Sequence, residues 1–298
     1  MKLSSYITLI RPKQWIKNFF IFAPAFFAGN LSEPKILRLT LIAFIAFCLV
    51  SSSVYVINDI FDVEADRFHP RKKFRPLATG DISINSAILI TIIMLIFAIL
   101  LITQLNISFA FITLTYILMN LLYSFKVKHI VILDVFFISL GFVLRIEAGA
   151  TAIGVSVSSW MMLTTIFLSL FLAISKRRAE LTSIEPGNLE IQRKVLNHYD
   201  VTFADQMNTL AATGTVICYA LYTVSEKAIS TFHSENLIYT TPFVVYGIFR
   251  YLYLLHKKNL GENPELVITK DISLIINVFL WLIVSLLIIY KHKFPFLS

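Results

Sequence analysis

Cysteine and charge are scarce in this chain of 298 residues. Its two cysteines, Cys48 and Cys218, both fall inside apolar runs, so neither a disulfide framework nor a cysteine-based zinc site has support. The six histidines are scattered and show no metal-ligand spacing. Only 15% of residues are charged, well under the roughly 25% of an average soluble domain. No polar stretch is long enough to fold by itself as a soluble appendage. The net charge of +8 does not point to nucleic acid, because the excess Lys and Arg sit in short connections between apolar runs.

What is abundant is apolar sequence: 57% of residues are hydrophobic and the mean hydropathy is +0.76. The apolar residues come in blocks of about 20, each long enough to cross a bilayer core as a helix. They lie roughly at 15–30, 36–60, 85–103, 107–123, 131–151, 159–176, 205–226, 236–255 and 272–290. This predicts one all-α integral membrane domain, 1–298, of nine transmembrane helices in the lipid bilayer. The block Arg11-Pro12-Lys13-Gln14-Trp15-Ile16-Lys17-Asn18 is too polar for a cleavable signal, so the first run is read as a helix. A cytoplasmic N-terminus puts 19 Lys and Arg on the inner side and 5 on the outer. Nine helices then leave the C-terminus outside, in a multi-pass cell-membrane protein. The two long charged connections, 61–84 and 177–204, are both cytoplasmic in this scheme.

The sharpest motif is Asn58-Asp59-Ile60-Phe61-Asp62-Val63-Glu64-Ala65-Asp66, where the second helix reaches the cytoplasm. Asp59, Asp62 and Asp66 are spaced i, i+3, i+7 and share one helical face. At 1.5 Å per residue the outer two are roughly 10 Å apart along the axis. One or two magnesium ions bridged by a diphosphate suit this spacing better than a single ion touching all three, since Mg2+ takes few carboxylates and accepts substrate phosphate oxygens. The plain alternative is a solvated helix end. Against it, three carboxylates facing one way need compensation, which Arg67, Arg71, Lys72, Lys73 and Arg75 supply. Lys73 and Arg75 are the expected phosphate contacts, with Arg75-Pro76 stiffening the loop. Asp81 or Ser83 is expected to cap the next helix.

With Asn58–Asp66 followed by Arg75-Pro76-Leu77-Ala78-Thr79-Gly80, the chain resembles the UbiA superfamily of membrane prenyltransferases over nearly its whole length. The resemblance implies a helical bundle with a central cavity open to the cytoplasmic side, covered by loops 61–84 and 177–204. Members of the superfamily carry a second Asp-rich motif after the sixth helix; here that position reads Ser175-Lys176-Arg177-Arg178-Ala179-Glu180-Leu181. Together with Arg11–Asn18, Leu122–His129 and Leu144–Gly149, this is similar to the superfamily's branch of decaprenyl-phosphate phosphoribosyltransferases. That branch implies transfer of 5-phosphoribose from phosphoribosyl pyrophosphate to a polyprenyl phosphate, releasing pyrophosphate, for cell-envelope polysaccharide precursors. On this resemblance Asp59, Asp62 and Asp66 are catalytic through Mg2+ on the diphosphate, with Asn58 orienting them. Lys176 and Arg177 would bind the other phosphate, Arg177 through its planar fork. Glu180 is either a ribose contact or the i,i+4 helix partner of Lys176.

Lys17, Asn18, Tyr123, Lys126, Lys128 and Asp134 complete the expected substrate contacts, although a tyrosine at a membrane border is common without any such role. Arg145, deep in its helix, is expected to be a structural ion pair or carbonyl clamp. Trp15, Trp160 and Trp281 fit interfacial anchors. Two other functions stay open on the sequence: a prenyl-diphosphate-consuming transferase with an aromatic or glycerol-phosphate acceptor, and a membrane transporter.

Overall fold

The computed structural model describes residues 3–68, 72–182, 196, 198–257, 267 and 269–291. Lys2, Arg71, Arg193, Lys194, Lys258 and Lys293, which are among the 24 Lys and Arg of the sidedness count, lie outside the described residues, as does 183–195 of the second long connection. Among the described residues every regular element is helical. Six helices are long and apolar enough to cross a membrane: Pro34–Phe61, Ile84–Ile102, Ile107–Phe125, Leu133–Ile153, Ser159–Thr182 and Ile272–Tyr290. These make it a multi-pass membrane protein. Three of the nine expected spans differ. The first run is split into a 3-10 stretch, Pro12–Phe22, and a short helix, Ala23–Phe27. Val201–Thr223 is long but carries Asp205, Gln206 and Asn208, and Thr241–Lys257 is only 17 residues.

The chain falls into two compact units. The first contains residues 1–25, 31–128 and 144–156. Its helices are α1 (Leu3–Ile10), α3 (Pro34–Phe61), α4 (Val63–Phe68), α5 (Ile84–Ile102) and α6 (Ile107–Phe125), with the second half of α7 (Leu133–Ile153); the short α2 (Ala23–Phe27) lies at the boundary between the units. Helix α3 is its spine, packing on α5, α6 and the 3-10 stretch. Ser51, Ser52 and Ser53 are buried on α3, and such small side chains let helices approach closely in a membrane. Ser83 caps α5, accepting from the backbone N–H of Ser86 at 3.2 Å, as expected of one of the two candidates.

The 3-10 stretch is unusually long, since such runs rarely exceed three or four residues. At three residues per turn Trp15, Asn18 and Ile21 eclipse one another on one face. Each is docked. Trp15 Nε1 donates to Ser52 Oγ at 2.9 Å, Asn18 Nδ2 donates to Ser51 Oγ at 3.1 Å, and Ile21 is fully buried with its backbone against Gly149. Trp15 is thus tied inward, while Trp160 is exposed at 37%.

The second unit contains residues 26–30, 129–143 and 157–298. Its longest seam joins α8 (Ser159–Thr182) to α9 (Val201–Thr223). Around it a core of Leu170, Phe171, Ile174, Ala204, Ala211 and Leu254 is buried. The helices α10 (Glu226–Phe232), α11 (Thr241–Lys257) and α12 (Ile272–Tyr290) complete it, with Trp281 Nε1 donating to Tyr219 Oη at 2.8 Å.

Candidate active site

The acidic motif forms at a near-continuous junction of two helices. Helix α3 ends at Phe61, Asp62 is its C-cap at φ −90° and ψ 3°, and α4 resumes at Val63. The backbone bonds run through the break, Asp62 N–H to Asn58 O at 2.9 Å and Asp66 N–H to Asp62 O at 2.8 Å. Asp59 and Asp66 turn inward and are buried, whereas Asp62 is partly exposed. The three carboxylates therefore divide into an inner pair and an outer member.

Arg75 joins the inner pair. Its Nη1 donates to Asp59 Oδ1 at 2.9 Å and to Asp66 Oδ2 at 2.6 Å. The loop aims it there: Leu77 and Ile82 are buried in the first unit's core, Thr79 N–H bonds to Arg75 O at 2.9 Å, and Gly80 turns the chain at φ 81°. A positive φ costs glycine nothing. Lys72 approaches Asp66 at 3.8 Å. Asp62 receives Lys128 Nζ at 3.3 Å and Asn58 Nδ2 at 3.1 Å. Lys73, paired above with Arg75, instead lies over the Phe74 ring at 5.3 Å and is exposed. Lys126 is exposed beside Lys128, and Tyr123 is half-buried one turn before it.

Arg11 is the group that reading the motif alone missed. Its Nη2 donates to Asp59 at 2.6 Å (Oδ1) and 2.8 Å (Oδ2), and its guanidinium carbon is 5.2 Å from the Tyr55 ring centre. It stands between α1 and the 3-10 stretch at φ 56° and ψ 56°, a left-handed conformation disfavoured for a residue with a Cβ. The following Pro12 disfavours the right-handed helical region at Arg11 but does not itself reveal a partner 48 residues away.

Arg145 is 4% exposed. Nε donates to Asn18 Oδ1 and Nη2 to Tyr116 Oη, both at 2.8 Å, with the guanidinium 4.9 Å over the Tyr116 ring. Two of its acceptors are thus an amide and a phenol, where an ion pair or carbonyl clamp was expected. Asn18, expected to meet substrate, is fully buried, with its amide engaged by Arg145, Ser51 and Cys48. Lys17 beside it is partly buried.

In the second unit the stretch Ser175–Leu181 closes α8. Arg177 is 1% exposed, donating from Nε to Asp134 Oδ2 and from Nη1 to Glu180 Oε2, each at 2.7 Å. Asp134, itself fully buried, also accepts from Tyr199 Oη at 3.0 Å. Tyr199 in turn accepts from Ile132 N–H at 2.8 Å, and Ile132 has φ 69°, a genuine outlier for a β-branched residue. Burial first, and then the Asp134 charge, push the Tyr199 hydroxyl up to about 12, so it remains a donor. Arg177, expected to grip a phosphate, and Asp134, expected to meet substrate, are both buried and paired with each other. Lys176 is partly buried. Arg178, not among the expected contacts, pairs with Asp205 at 2.5 Å, and its buried Nη1 has no hydrogen-bond partner among the described residues.

Whether magnesium suits the first unit can be tested on its donors. Among the described residues no three His, Cys, Asp or Glu side chains converge on one point. Two do flank a single cationic atom, since Arg75 Nη1 touches both Asp59 and Asp66. Mg2+ is commonly held by one or two carboxylates plus substrate phosphates, not by an all-protein cage. The inner pair fits that ion.

The model of the UbiA prenyltransferase family matches residues 18–283. The chain is 34% identical over 291 residues to the decaprenyl-phosphate phosphoribosyltransferase of Mycolicibacterium smegmatis, covering 94% of this chain and 91% of that one. It is 32% identical over 285 residues to the protein of the same name from Mycobacterium tuberculosis, covering 94% and 92%. A UbiA homolog from Archaeoglobus fulgidus, solved bound to GPP and Mg2+, superposes with a TM-score of 0.69 at 20% identity, over 96% of this chain and 99% of that one; this likeness is one of fold. The family match and these relatives show that the chain belongs to the UbiA prenyltransferase family.

Proposed function

We propose that the protein transfers 5-phosphoribose from phosphoribosyl pyrophosphate to a polyprenyl phosphate of the decaprenyl type, releasing pyrophosphate, at the cytoplasmic face of the cell membrane. The observation that carries this reading is the identity, over nearly the whole chain, to relatives named for that transfer. The site chemistry supports it. The inner pair Asp59 and Asp66 suits a metal-bound diphosphate, with Asp62 and Asn58 beside it. At the position of the superfamily's second acidic motif, the buried Arg177 engages Glu180 and, from the preceding helix, Asp134, so a cation stands between the two carboxylates where a second metal cluster would need to be.

Bound Mg2+ would supply charge stabilisation for the departing pyrophosphate. The chain's own groups bind and orient. Arg75, Lys73 and Lys128 meet diphosphate charge that the metal leaves uncovered, and Lys126, Tyr123 and Lys17 are further contacts at the same end of their elements. Lys176 binds a phosphate, while Arg177 and Asp134 brace Glu180, which accepts from a ribose hydroxyl. No general base is required, because a phosphate monoester is mostly dianionic at pH 7 with a second pKa of about 6. A lipid phosphate oxygen attacks the anomeric carbon, the bond from that carbon to the pyrophosphate oxygen breaks, and the configuration inverts. Catalysis then rests on positioning and charge stabilisation. The product would feed cell-envelope polysaccharide synthesis. The Lys and Arg distribution supports nine spans with the N-terminus inside and the C-terminus outside.

The test is transfer by purified protein with Mg2+, labelled phosphoribosyl pyrophosphate and polyprenyl phosphate. Label entering the lipid phase supports the reading. Absence of transfer, together with turnover of a prenyl diphosphate and an aromatic or glycerol-phosphate acceptor, replaces it with the prenyltransferase reading.

A further inference from the structure

The acidic cluster of the first unit is already saturated with cations. Asp59 receives Arg11 and Arg75, Asp66 receives Arg75 and Lys72, and Asp62 receives Lys128. Three carboxylates thus face four positive side chains, and a bare divalent ion approaching them meets no excess of negative charge. A free diphosphate meets the converse problem, because the cations that would hold it are engaged by carboxylates.

The two sets of groups are not equally enclosed. The Asp59 and Asp66 side chains are 2% and 3% exposed, while those of Arg11 and Arg75 are 25% and 24% exposed. The guanidiniums therefore lie on the outer side of the inner pair. Arg177, which also bridges two carboxylates, is by contrast 1% exposed. Arg11 also stands in a left-handed conformation between two helical segments, with the Tyr55 ring beside its guanidinium. Strained backbone of this kind concentrates at ligand clamps and switch regions.

We propose that Arg11, together with Arg75, is a hand-over residue: it neutralises Asp59 in the resting protein and passes to the substrate's diphosphate when metal takes the carboxylates. Metal and diphosphate then bind as a mutually dependent pair, each weak alone. The carboxylates exchange guanidinium for metal, the guanidiniums exchange carboxylate for phosphate, and no buried charge is left bare at either end. Linkage requires the enhancement to be reciprocal. This inference rests on the proposed diphosphate site but not on which group, ribose or prenyl, the diphosphate carries.

The experiment is equilibrium dialysis of the full chain in detergent against Mn2+ and labelled inorganic pyrophosphate, separately and together, reading ligand retained on the protein side. Wild type is expected to retain each weakly alone and each about tenfold or more tightly with the other present. Arg11→Gln is expected to tighten Mn2+ alone, because a competitor for Asp59 is gone, and to shrink the enhancement by pyrophosphate. Arg11→Lys keeps a cation without the fork and is expected to fall between. A merely structural arginine would not raise metal affinity on removal. Equal Mn2+ affinity with and without pyrophosphate in wild type overturns the proposal, whether or not the Arg11→Gln chain folds. So does retention of neither ligand, or an enhancement unchanged in Arg11→Gln. Coupled retention without phosphoribosyl transfer would overturn the reaction proposed above and leave this inference standing; transfer with uncoupled retention would do the reverse.

Discussion

Arg145 bonds the hydroxyl of Tyr116 and lies over the same ring, so one tyrosine meets the buried guanidinium by two kinds of interaction. Tyr116→Phe keeps the ring and removes the acceptor. The expected cost is about 1.5–3 kcal/mol, the scale of a hydrogen bond to a charged group. Tyr116→Leu should lose a further ~0.5–2 kcal/mol with the cation–π contact. Thermal unfolding of both variants in detergent measures the difference; equal midpoints for the two would show that the ring face contributes nothing.

Gly149 gives a second stability prediction. A Cβ built on it overlaps the backbone carbonyl of Ile21, which leaves no flexible side chain to give way. Gly149→Ala should destabilise by at least about 1–3 kcal/mol, the usual range for overpacking. Lower thermal stability with lowered activity is the expected outcome, read by melting and by transfer assay on the same preparation.

The acidic motif should show a graded response. Asp59→Asn and Asp66→Asn each remove a member of the inner pair and should lower turnover by about 100-fold or more. Asp62 faces Lys128 on the outer side, and its replacement by Asn should cost about tenfold. Glu64 is solvent-exposed and pairs with its helix neighbour Arg67, so Glu64→Gln should leave turnover unchanged. Steady-state rates for the four variants rank them.

Tyr199 predicts a pH window. Its folded pKa, about 12, is above the ordinary 10, mainly through burial and then through Asp134. A raised pKa means that the folded state favours the protonated hydroxyl. The associated stability is fully present below pH 10 and is lost as pH rises toward about 12. The difference in unfolding free energy between wild type and Tyr199→Phe should therefore be flat through neutral pH, on the order of 1–3 kcal/mol, and shrink above pH 10. Denaturant titrations at several pH values check the shape.

Local signals were legible in the sequence. The acidic heptad, the Ser83 cap and the long apolar helices follow from spacing and composition over a few residues. What could not be read there are pairings across long separations. Arg11 reaches Asp59 over 48 residues, and Asn18 reaches Arg145 over 127. Lysines and arginines near a membrane border look alike on paper, whether they anchor to the border, as exposed Lys126 can, or sit inside a network, as Arg177 does. Only burial separates them, and burial is set by the partner helices.

The eclipsed row of Trp15, Asn18 and Ile21 has a consequence for how this segment can change. With three residues to the turn, one inserted or deleted residue rotates everything downstream by a third of a turn. Ile21 would leave Gly149 if the change fell after Asn18, and Asn18 would leave both Ser51 and Arg145 if it fell before. Length variation here is therefore tolerable only in steps of three, a periodicity foreign to the α-helices on either side.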